Sequence, residues 1–267
     1  MKTFCNCIVE HKIRAPHGGT GRLIGGTMAA VGQFPFIPSV SRNDQHLCAG
    51  FIYNEKWVVT SAKCIYGKPK EEFKVLVGAL SFVTPDPGEQ SIGVFDMVYF
   101  PQYDDVTQKH DVALIEVSKP ILFGPTTQPM PYGEIDELAQ PWDAKIVGWG
   151  ATFEDGLPST RLRWGPIDNL AADCSSYDTE EYIESLMICA GSSSGVSPCE
   201  YDEGTPLTHV TNFEGIQKEV IIGIMSKNQG CSNATIPTIY TRLPAYSSWL
   251  VQTAGPQASP NVLAPQL

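Results

Sequence analysis

The sequence predicts an all-β fold of antiparallel strands that ends in one α-helix. From Leu23 onward, short runs rich in Val, Ile, Phe and Tyr alternate with clusters of Gly, Pro, Asn and Asp, which is the spacing of antiparallel β-proteins. Charged residues make up only 18% of the 267 residues, which suits a β-rich extracellular protein better than a helical or disordered one. A chain of this length can form one large β-domain or two small ones.

The strands and the helix are predicted from local patterns. The clearest strand candidates are residues 57–60, 73–77, 112–117, 145–149 and 219–225. Near the carboxyl terminus, Tyr246, Trp249 and Leu250 are spaced at i, i+3 and i+4, which places them on one face of a helix. Pro244 precedes this run and Gly255 follows it, and these residues are typical start and stop signals. We therefore predict a terminal amphipathic helix.

Composition divides the chain into three parts. Residues 1–22 are polar, include Pro16 and a glycine pair, and predict a loose leader. Residues 23–252 form the β-domain, and residues 253–267, which contain three prolines, predict a disordered tail. Glu10 interrupts any apolar stretch near the amino terminus, so no convincing signal peptide is present. Either the sequence lacks the true start of the chain, which we favour, or secretion is indicated by the cysteines alone.

Charge and cysteine content limit the classes of partner and compartment. The formal net charge is −11; a surface this acidic repels phosphate backbones and anionic lipid headgroups, so we expect neither a nucleic acid nor a membrane partner. No apolar run is long enough to span a bilayer. Eight cysteines in a chain of this size indicate an oxidising compartment, and we predict a secreted, extracellular protein.

Two short stretches carry the most informative motifs: Val-Thr-Ser-Ala-Lys-Cys at 59–64 and Cys-Glu-Tyr-Asp-Glu-Gly-Thr-Pro-Leu at 199–207. They resemble the catalytic signatures of the trypsin and chymotrypsin serine proteases. Further motifs of that family follow in the family order: Leu-Ile-Gly-Gly at 23–26, Cys-Ala-Gly-Phe-Ile at 48–52, Asp-Val-Ala-Leu at 111–114, Gly-Trp-Gly at 148–150, Met-Ile-Cys-Ala-Gly at 187–191, Gly-Ile-Met-Ser at 223–226, Gly-Cys at 230–231 and Ile-Tyr-Thr-Arg at 239–242. An unrelated β-sandwich does not explain this order. The resemblance implies two packed six-stranded antiparallel Greek-key β-barrels with a C-terminal α-helix.

The resemblance also implies a pattern of disulfide bonds. The implied pairs are Cys48–Cys64, Cys174–Cys189 and Cys199–Cys231. The first closes a short loop, for which the chain-entropy model gives about 3 kcal/mol. Cys5 and Cys7 remain unassigned. They are either free or paired within the leader, or one of them forms an intermolecular disulfide with another chain.

Two of the three catalytic residues that the resemblance implies are replaced in this sequence. The family mechanism needs a serine nucleophile, a histidine that accepts and returns its proton, and an aspartate that orients the histidine. Asp111 matches the aspartate, whereas Lys63 stands at the histidine position and Glu203 at the serine position. A lysine ammonium has no lone pair with which to act as a base at pH 7, and attack by a carboxylate would give an anhydride more reactive than the amide. We therefore predict that the protein is not an enzyme.

Other parts of the implied site also depart from the family pattern. The oxyanion hole of the family is built from the backbone N–H groups at Tyr201 and Glu203, and the family has glycines where Tyr201 and Thr205 stand. Glycine permits close approach of the backbone and unusual backbone angles. We therefore expect the side chains of Tyr201 and Thr205 to prevent both. The family's substrate pocket is matched by four positions whose side chains are expected to narrow or fill it: Ser197, Lys227, Asn228 and Thr238.

The sequence also bears on chain activation, glycosylation and metal binding. Arg22-Leu23 resembles the activation junction of the family, and Asp202 either pairs with the Leu23 ammonium after cleavage or serves only as a structural acceptor. Asn233 begins an N-glycosylation sequon. No His, Cys or Asp cluster has the spacing of a metal site, so we predict no metal and no cofactor.

These observations predict a catalytically inactive serine protease homologue that acts as a secreted binding or regulatory protein. We expect a cofactor or decoy in an extracellular proteolytic cascade such as innate immunity, with a protease, zymogen or inhibitor as partner. One alternative is a recognition protein for microbial or carbohydrate surfaces, which the acidic charge disfavours. Another is a protease with rebuilt chemistry, for example a Ser–Lys dyad through Ser226 or Ser61. We expect Lys63, Asp111 and Glu203 to form a charge-compensated cluster instead.

Overall fold

A computed structural model describes residues 26–134, 144–168, 174–178, 181–213, 216–231 and 236–258 of the chain. These residues form fourteen β-strands and two α-helices, with 3₁₀-helices at Lys70–Glu72 and Leu243–Tyr246. In chain order the elements are β1 (Thr27–Met28), β2 (Ser39–Arg42), β3 (Gln45–Ala49), β4 (Phe51–Ile52), β5 (Trp57–Thr60), α1 (Ala62–Ile65), β6 (Phe73–Val77), β7 (Gln90–Tyr99), β8 (Ala113–Val117), β9 (Ala144–Gly148), β10 (Arg163–Ile167), β11 (Met187–Ala190), β12 (Pro206–Phe213), β13 (Ile216–Lys227), β14 (Thr238–Arg242) and α2 (Ser247–Ala254).

The first sheet closes on itself. Its strand order is β3-β2-β6-β7-β8-β5-β4, with all neighbours antiparallel. Only Gly50 separates β3 from β4, so the two ends of the sheet are one continuous stretch of chain. A Cβ atom at position 50 would lie 2.4 Å from the Val59 carbonyl oxygen, which explains why the turn of the barrel wall requires glycine here.

The second sheet has the order β1-β10-β9-β12-β13-β14-β11. β1 contributes only two residues, and Thr27 is paired with Trp164 at the edge of the sheet. The predicted six strands for each barrel therefore appear as seven for two reasons. Gly50 divides one strand of the first barrel, and β1 is added to six strands of the second. The antiparallel two-barrel fold that we predicted is confirmed.

Buried apolar residues fill each barrel and the space between the two. The first barrel encloses Val40, Val58, Val75, Ile92 and Ile115. The second encloses Ile146, Ile188, Leu207, Ile222 and Tyr240. A third cluster draws residues from both sheets and from α2, including Phe51, Leu114, Val147, Ile224 and Leu250. Burial of this shared cluster ties the barrels together, and the loops at their junction are held in fixed positions.

The terminal helix is confirmed, but the folded part of the chain extends beyond the boundary predicted at residue 252. α2 buries Leu250 and ends at Gly255, whose φ is 74°. Beyond it, the Ala258 N–H donates to the Tyr53 carbonyl (3.1 Å) and Asn54 Nδ2 donates to the Ala254 carbonyl (3.1 Å). Residues 253–258 of the predicted tail are thus packed against the first barrel. Residues 259–267 and the predicted leader 1–22 lie outside the described residues.

The three predicted disulfide bonds are present: Cys48–Cys64, Cys174–Cys189 and Cys199–Cys231. The first joins β3 to α1, and the third joins the loop before β12 to the segment after β13. Both therefore brace loops at the junction of the barrels. Cys5 and Cys7 lie outside the described residues. Among the residues that the structure describes, no helix is long and apolar enough to cross a membrane.

Candidate functional site

The junction between the barrels brings Lys63, Asp111 and Glu203 together. Lys63 lies in α1 immediately after β5, Asp111 lies just before β8, and Glu203 lies in the loop before β12. The Lys63 backbone N–H donates to Asp111 Oδ1 (2.9 Å), and Lys63 Nζ donates to Glu203 Oε1 (2.8 Å). Lys63 thus links the other two residues, through its backbone to Asp111 and through its side chain to Glu203.

Asp111 is buried at the base of this cluster and is fully hydrogen-bonded. Ser61 Oγ donates to Asp111 Oδ1 (2.7 Å), and Ser226 Oγ donates to Asp111 Oδ2 (2.7 Å). Burial raises the pKa of Asp111, while the hydrogen bonds from Lys63, Ser226 and Ser61 act in the opposite direction. Both serine hydroxyls are committed to the aspartate and anchor it from two sides.

Glu203 uses both oxygens of its carboxylate. Oε1 binds the Lys63 ammonium, and Oε2 accepts the backbone N–H of Tyr201 (3.1 Å). The Lys63 side chain is 37% exposed and that of Glu203 only 17%, so the ion pair is partly shielded from water. The sequence did not predict the contact with Tyr201, because two residues in one loop show no periodic pattern that would place a carboxylate on an amide.

The backbone at Tyr201 differs from the expectation. Its φ is 71°, in the left-handed region that glycine favours. The tyrosine therefore adopts the unusual backbone angle that we expected its side chain to prevent. Two contacts hold this conformation: the Tyr201 N–H donates to Glu203, and the Tyr201 carbonyl lies 3.1 Å from His46 Nε2. The prediction was wrong because the tertiary partners, rather than the residue type, set this angle.

His46 is a buried support for that loop. Its Nε2 faces the Tyr201 carbonyl, and its Nδ1 lies 2.7 Å from Ser39 Oγ. Burial lowers the pKa of His46 to about 4, so the ring is neutral at pH 7. Because a carbonyl can only accept, Nε2 carries the proton and Nδ1 accepts from the serine hydroxyl. The ring therefore has a defined tautomer.

Asp202 acts as a structural acceptor in the described residues. Its Oδ1 accepts the Gly150 N–H (2.7 Å), and its Oδ2 accepts the Cys199 N–H (3.0 Å). Burial raises the pKa of Asp202 to about 7 against these hydrogen bonds. A Cβ atom at Gly150 would lie 2.0 Å from the carboxylate, so Asp202 requires glycine there. Arg22 and Leu23 lie outside the described residues, so cleavage between them and the ion pair of the Leu23 ammonium with Asp202 stay predictions.

Two of the four predicted pocket positions, Ser197 and Asn228, share a hydrogen-bond acceptor. Ser197 Oγ donates to the Pro198 carbonyl (3.1 Å), and Asn228 Nδ2 donates to the same carbonyl (2.8 Å). Asn228 thus connects the end of β13 to the segment before Cys199. Lys227 Nζ donates instead to the Thr107 carbonyl (3.2 Å), and Thr238 is buried in β14.

Two further predictions about sites concern metal binding and glycosylation. Among the described residues, Cys199, Glu200 and Cys231 present possible ligand atoms close together. Both sulfurs are joined in the Cys199–Cys231 disulfide, so neither is available as a thiolate ligand. Asn233 lies outside the described residues, and its glycosylation stays a prediction.

The chain is similar to known serine proteases along most of its length. Residues 23–250 match the family described as Trypsin. The chain is 31% identical over 245 residues to Serine protease 56 of Homo sapiens, covering 90% of this chain and 40% of that protein. It is 30% identical over 245 residues to Serine proteinase stubble of Drosophila melanogaster, covering 86% and 31%, and 29% identical over 252 residues to Complement factor I of Rattus norvegicus, covering 91% and 40%.

The chain spans 31% to 40% of the length of these three relatives. The family match extends from the segment just before β1 into α2 and therefore includes both barrels and the junction where Lys63, Asp111 and Glu203 meet. This protein belongs to the trypsin family of serine proteases.

Proposed function

We propose that this protein is a catalytically inactive member of its family that acts as a secreted binding or regulatory protein, a cofactor or decoy in an extracellular proteolytic cascade. One observation carries the proposal: the Glu203 carboxylate binds the Lys63 ammonium and the Tyr201 N–H at the same time. A side chain that needs both partners is a fixed part of the structure and leaves neither of them for catalysis.

The chemistry of the cluster supports this proposal. Acyl transfer needs a hydroxyl nucleophile and a neutral base, whereas Lys63 donates from Nζ and Glu203 accepts. In subtilisin, loss of the serine or the histidine alone lowers turnover about 2 × 10⁶-fold. A typical turnover of about 10 per second would then fall to about 10⁻⁵ per second, which is too slow for a working protease.

The surroundings of Tyr201 support it independently. A tetrahedral intermediate needs N–H donors aimed at its oxyanion. The Tyr201 N–H is directed at Glu203 Oε2 (3.1 Å), so a carboxylate occupies this donor. An oxyanion near it would meet a charge of the same sign, which is repulsive at short range.

The contacts do not favour the alternative of a rebuilt Ser–Lys dyad. Ser61 and Ser226 both donate their hydroxyl protons to Asp111, and the Lys63 ammonium lies on Glu203. Because no lysine lone pair faces either hydroxyl, the serines hold Asp111 in place. The Lys63 ammonium pairs with Glu203, and Asp111 is held by the Lys63 backbone N–H and by the two serines; this arrangement supports a structural role for the three residues.

The protein is proposed to act outside the cell. Three disulfide bonds are typical of an oxidising compartment. The relative named Complement factor I supports a proteolytic cascade as the context. The barrels, their shared core and the three disulfides are present, whereas a lysine and a glutamate stand at the positions where the resemblance implies catalytic residues. This combination supports a scaffold that is retained for its surface.

An active-site probe tests the proposal directly. Purified protein is incubated with a fluorophosphonate, which labels the nucleophilic serine of active serine hydrolases, and is then analysed by intact mass. We expect no adduct under conditions in which an active trypsin in the same tube is fully labelled. A stoichiometric adduct on any serine of this chain would refute the loss of activity.

Pull-down from the extracellular fluid of the source then tests whether a protease, zymogen or inhibitor is retained.

A further inference from the structure

Two exposed tyrosine rings contact each other on the first barrel. The chain has ten tyrosines, all of them among the described residues, and only Tyr66 and Tyr99 are exposed, at 38% and 41%. Tyr66 directly follows α1, and Tyr99 is the last residue of β7. Their ring centroids are 4.9 Å apart, with the ring planes at 75°. The two phenols that a reagent in solvent reaches most easily are therefore also each other's neighbours.

A third tyrosine holds this contact in place. The Tyr103 ring lies 5.2 Å from that of Tyr66 and 6.5 Å from that of Tyr99, and both contacts are edge-to-face, which is a favoured arrangement of aromatic rings. Tyr103 packs against the apolar core of the first barrel, and its hydroxyl donates to Asp105 Oδ1 (3.1 Å). The two outer rings are thus supported from below by a ring that is itself anchored.

The Tyr53–Tyr132 pair is arranged differently. Its ring centroids are 6.3 Å apart and the rings are stacked. Tyr53 is buried, and its hydroxyl donates to the Gly255 carbonyl (3.0 Å). An oxidant in solvent has poor access to this pair. Among the tyrosines of the chain, exposure of both rings and direct ring contact therefore coincide at Tyr66 and Tyr99 alone.

We propose that Tyr66 and Tyr99 form an oxidative cross-linking site, at which hydrogen peroxide and a haem peroxidase join the two rings as dityrosine. Each phenol gives one electron to the peroxidase and its hydroxyl proton to water, and the two phenoxyl radicals form one C–C bond between carbons ortho to the oxygens. The ring hydrogen on each of these carbons then moves, as a proton, to the neighbouring oxygen. The pair loses two electrons and two protons, which reduce one hydrogen peroxide to two water molecules.

The fold supplies the geometry that this coupling needs. Two rings that are held in contact avoid the entropic cost of a bimolecular encounter. The new bond would join the end of α1 to the end of β7, and α1 carries Lys63 at the cleft between the barrels. The Cys48–Cys64 disulfide already fixes the middle of α1, and the cross-link would fix its end. The inference goes beyond the proposed function and does not depend on the loss of catalytic activity.

Peroxidase treatment of the full chain tests the site. Any free thiol is alkylated first, and the folded protein is then incubated with a haem peroxidase and hydrogen peroxide. We expect dityrosine fluorescence, a monomer whose mass is lower by two hydrogens, and a proteolytic map in which the peptide with Tyr66 is joined to the peptide with Tyr99. The cross-linked fraction should not depend on protein concentration, because the reaction is intramolecular.

Matched variants locate the bond. Tyr99→Phe removes one hydroxyl, keeps the ring, and should lower the dityrosine fluorescence to that of a sample without peroxide. Tyr132→Phe removes a hydroxyl from the other tyrosine pair and should leave the yield unchanged. Tyr66→Phe should behave like Tyr99→Phe, and it provides the test should Tyr99→Phe fail to fold. Thermal unfolding verifies that each variant is folded.

Three results would overturn the inference: no dityrosine in the folded protein, equal yields from Tyr99→Phe and Tyr132→Phe, or a map that places the bond at any other pair of tyrosines. Covalent dimers in place of the monomeric product, with a yield that rises with protein concentration, would show that the rings couple between molecules and would also overturn it.

Discussion

At the residue scale, Glu203 connects three separate parts of the fold. Its Oε1 binds Lys63 of α1, its Oε2 accepts the Tyr201 N–H, and its backbone carbonyl accepts the Ala49 N–H of β3 (2.9 Å). Replacing it changes the charge of the cleft, the conformation at Tyr201 and the contact with Lys63 together. For this reason a single substitution toward the family pattern should not restore a working site.

The double substitution Lys63→His, Glu203→Ser tests this reasoning. We expect turnover of a lysine or arginine peptide amide to stay below about 0.1 per second, two orders of magnitude under a typical enzyme. The reason is that Asn228 remains bonded to the Pro198 carbonyl and Thr238 remains buried at the predicted pocket positions. Hydrolysis is followed by product release, and folding is verified by thermal unfolding. Turnover near 10 per second would show that the pocket and the oxyanion donors are intact.

His46 should make stability depend on pH in a defined direction. Its pKa falls from an ordinary 6.5 to about 4 on burial, so between these values the unfolded chain binds the proton and the folded chain does not. Stability from neutral His46 is therefore fully present above pH 6.5 and is lost as pH falls toward 4. The contribution of neutral His46 to the free energy of unfolding amounts to about 3 kcal/mol.

His46→Gln isolates this effect, because glutamine keeps one donor for the Tyr201 carbonyl and one acceptor for Ser39 while it cannot titrate. We expect the loss of unfolding free energy caused by His46→Gln to be greater at pH 7 than at pH 4, by up to about 3 kcal/mol. Asp202 titrates in both proteins and cancels in the difference, although its pKa is raised to about 7. Urea unfolding at pH 7 and pH 4 measures the free energy of unfolding of both proteins. If the loss caused by His46→Gln were the same at both pH values, the expected role of His46 would be contradicted.

At the scale of elements, the barrel wall depends on Gly50 between β3 and β4. A Cβ at this position would meet the Val59 carbonyl at 2.4 Å and Val58 Cγ1 at 3.2 Å. Since the first contact is with backbone, the strands must move, and we expect Gly50→Ala to lower the unfolding free energy by about 1–3 kcal/mol. Gly124→Ala is the control, because a Cβ there meets nothing within 4 Å. Equal urea midpoints for the two variants would contradict the steric argument.

Elements with strong local patterns were predictable from the sequence. The predicted strands 57–60 and 73–77 coincide with β5 and β6, since their apolar, β-branched residues are typical of a buried strand. Residues 255–258 were predicted as part of a disordered tail because the end of the chain carries three prolines and little charge. Their order comes from Tyr53 and Asn54, about 200 positions away in the chain, and no local pattern contains that information.

The same distinction applies to the site. The sequence predicted that Lys63, Asp111 and Glu203 would come together, because ordered motifs of a known family place them in known loops. It did not predict the left-handed backbone of Tyr201. That conformation depends on a distance between loops, because Tyr201 is held by His46, 155 positions away.

At the scale of the whole molecule, the two barrels should unfold as one unit. The third apolar cluster takes residues such as Phe51 from the first sheet and Ile224 from the second, and Leu250 of α2 covers it. Separating the barrels would expose this cluster to water, which is unfavourable in proportion to its apolar area. The loops that carry Lys63 and Glu203 lie at this boundary, so the geometry of the cleft depends on the integrity of the whole fold.

The net charge of −11 predicts how the whole molecule responds to salt. Like charges on a compact surface repel, and ions screen them beyond a Debye length of about 10 Å at 0.1 M salt. The four ion pairs found among the described residues all have partly exposed side chains, so each contributes little to stability. The stability lost when salt screens these pairs should therefore be smaller than the stability gained when salt screens the repulsion between like surface charges. We expect raising NaCl from 10 to 150 mM to increase Tm by about 2–4 °C, equivalent to about 1 kcal/mol for a domain of this size. Calorimetry with NaCl and KCl separates screening from specific ion effects, and a fall in Tm would show that the ion pairs, Lys63–Glu203 among them, outweigh the self-repulsion of the surface.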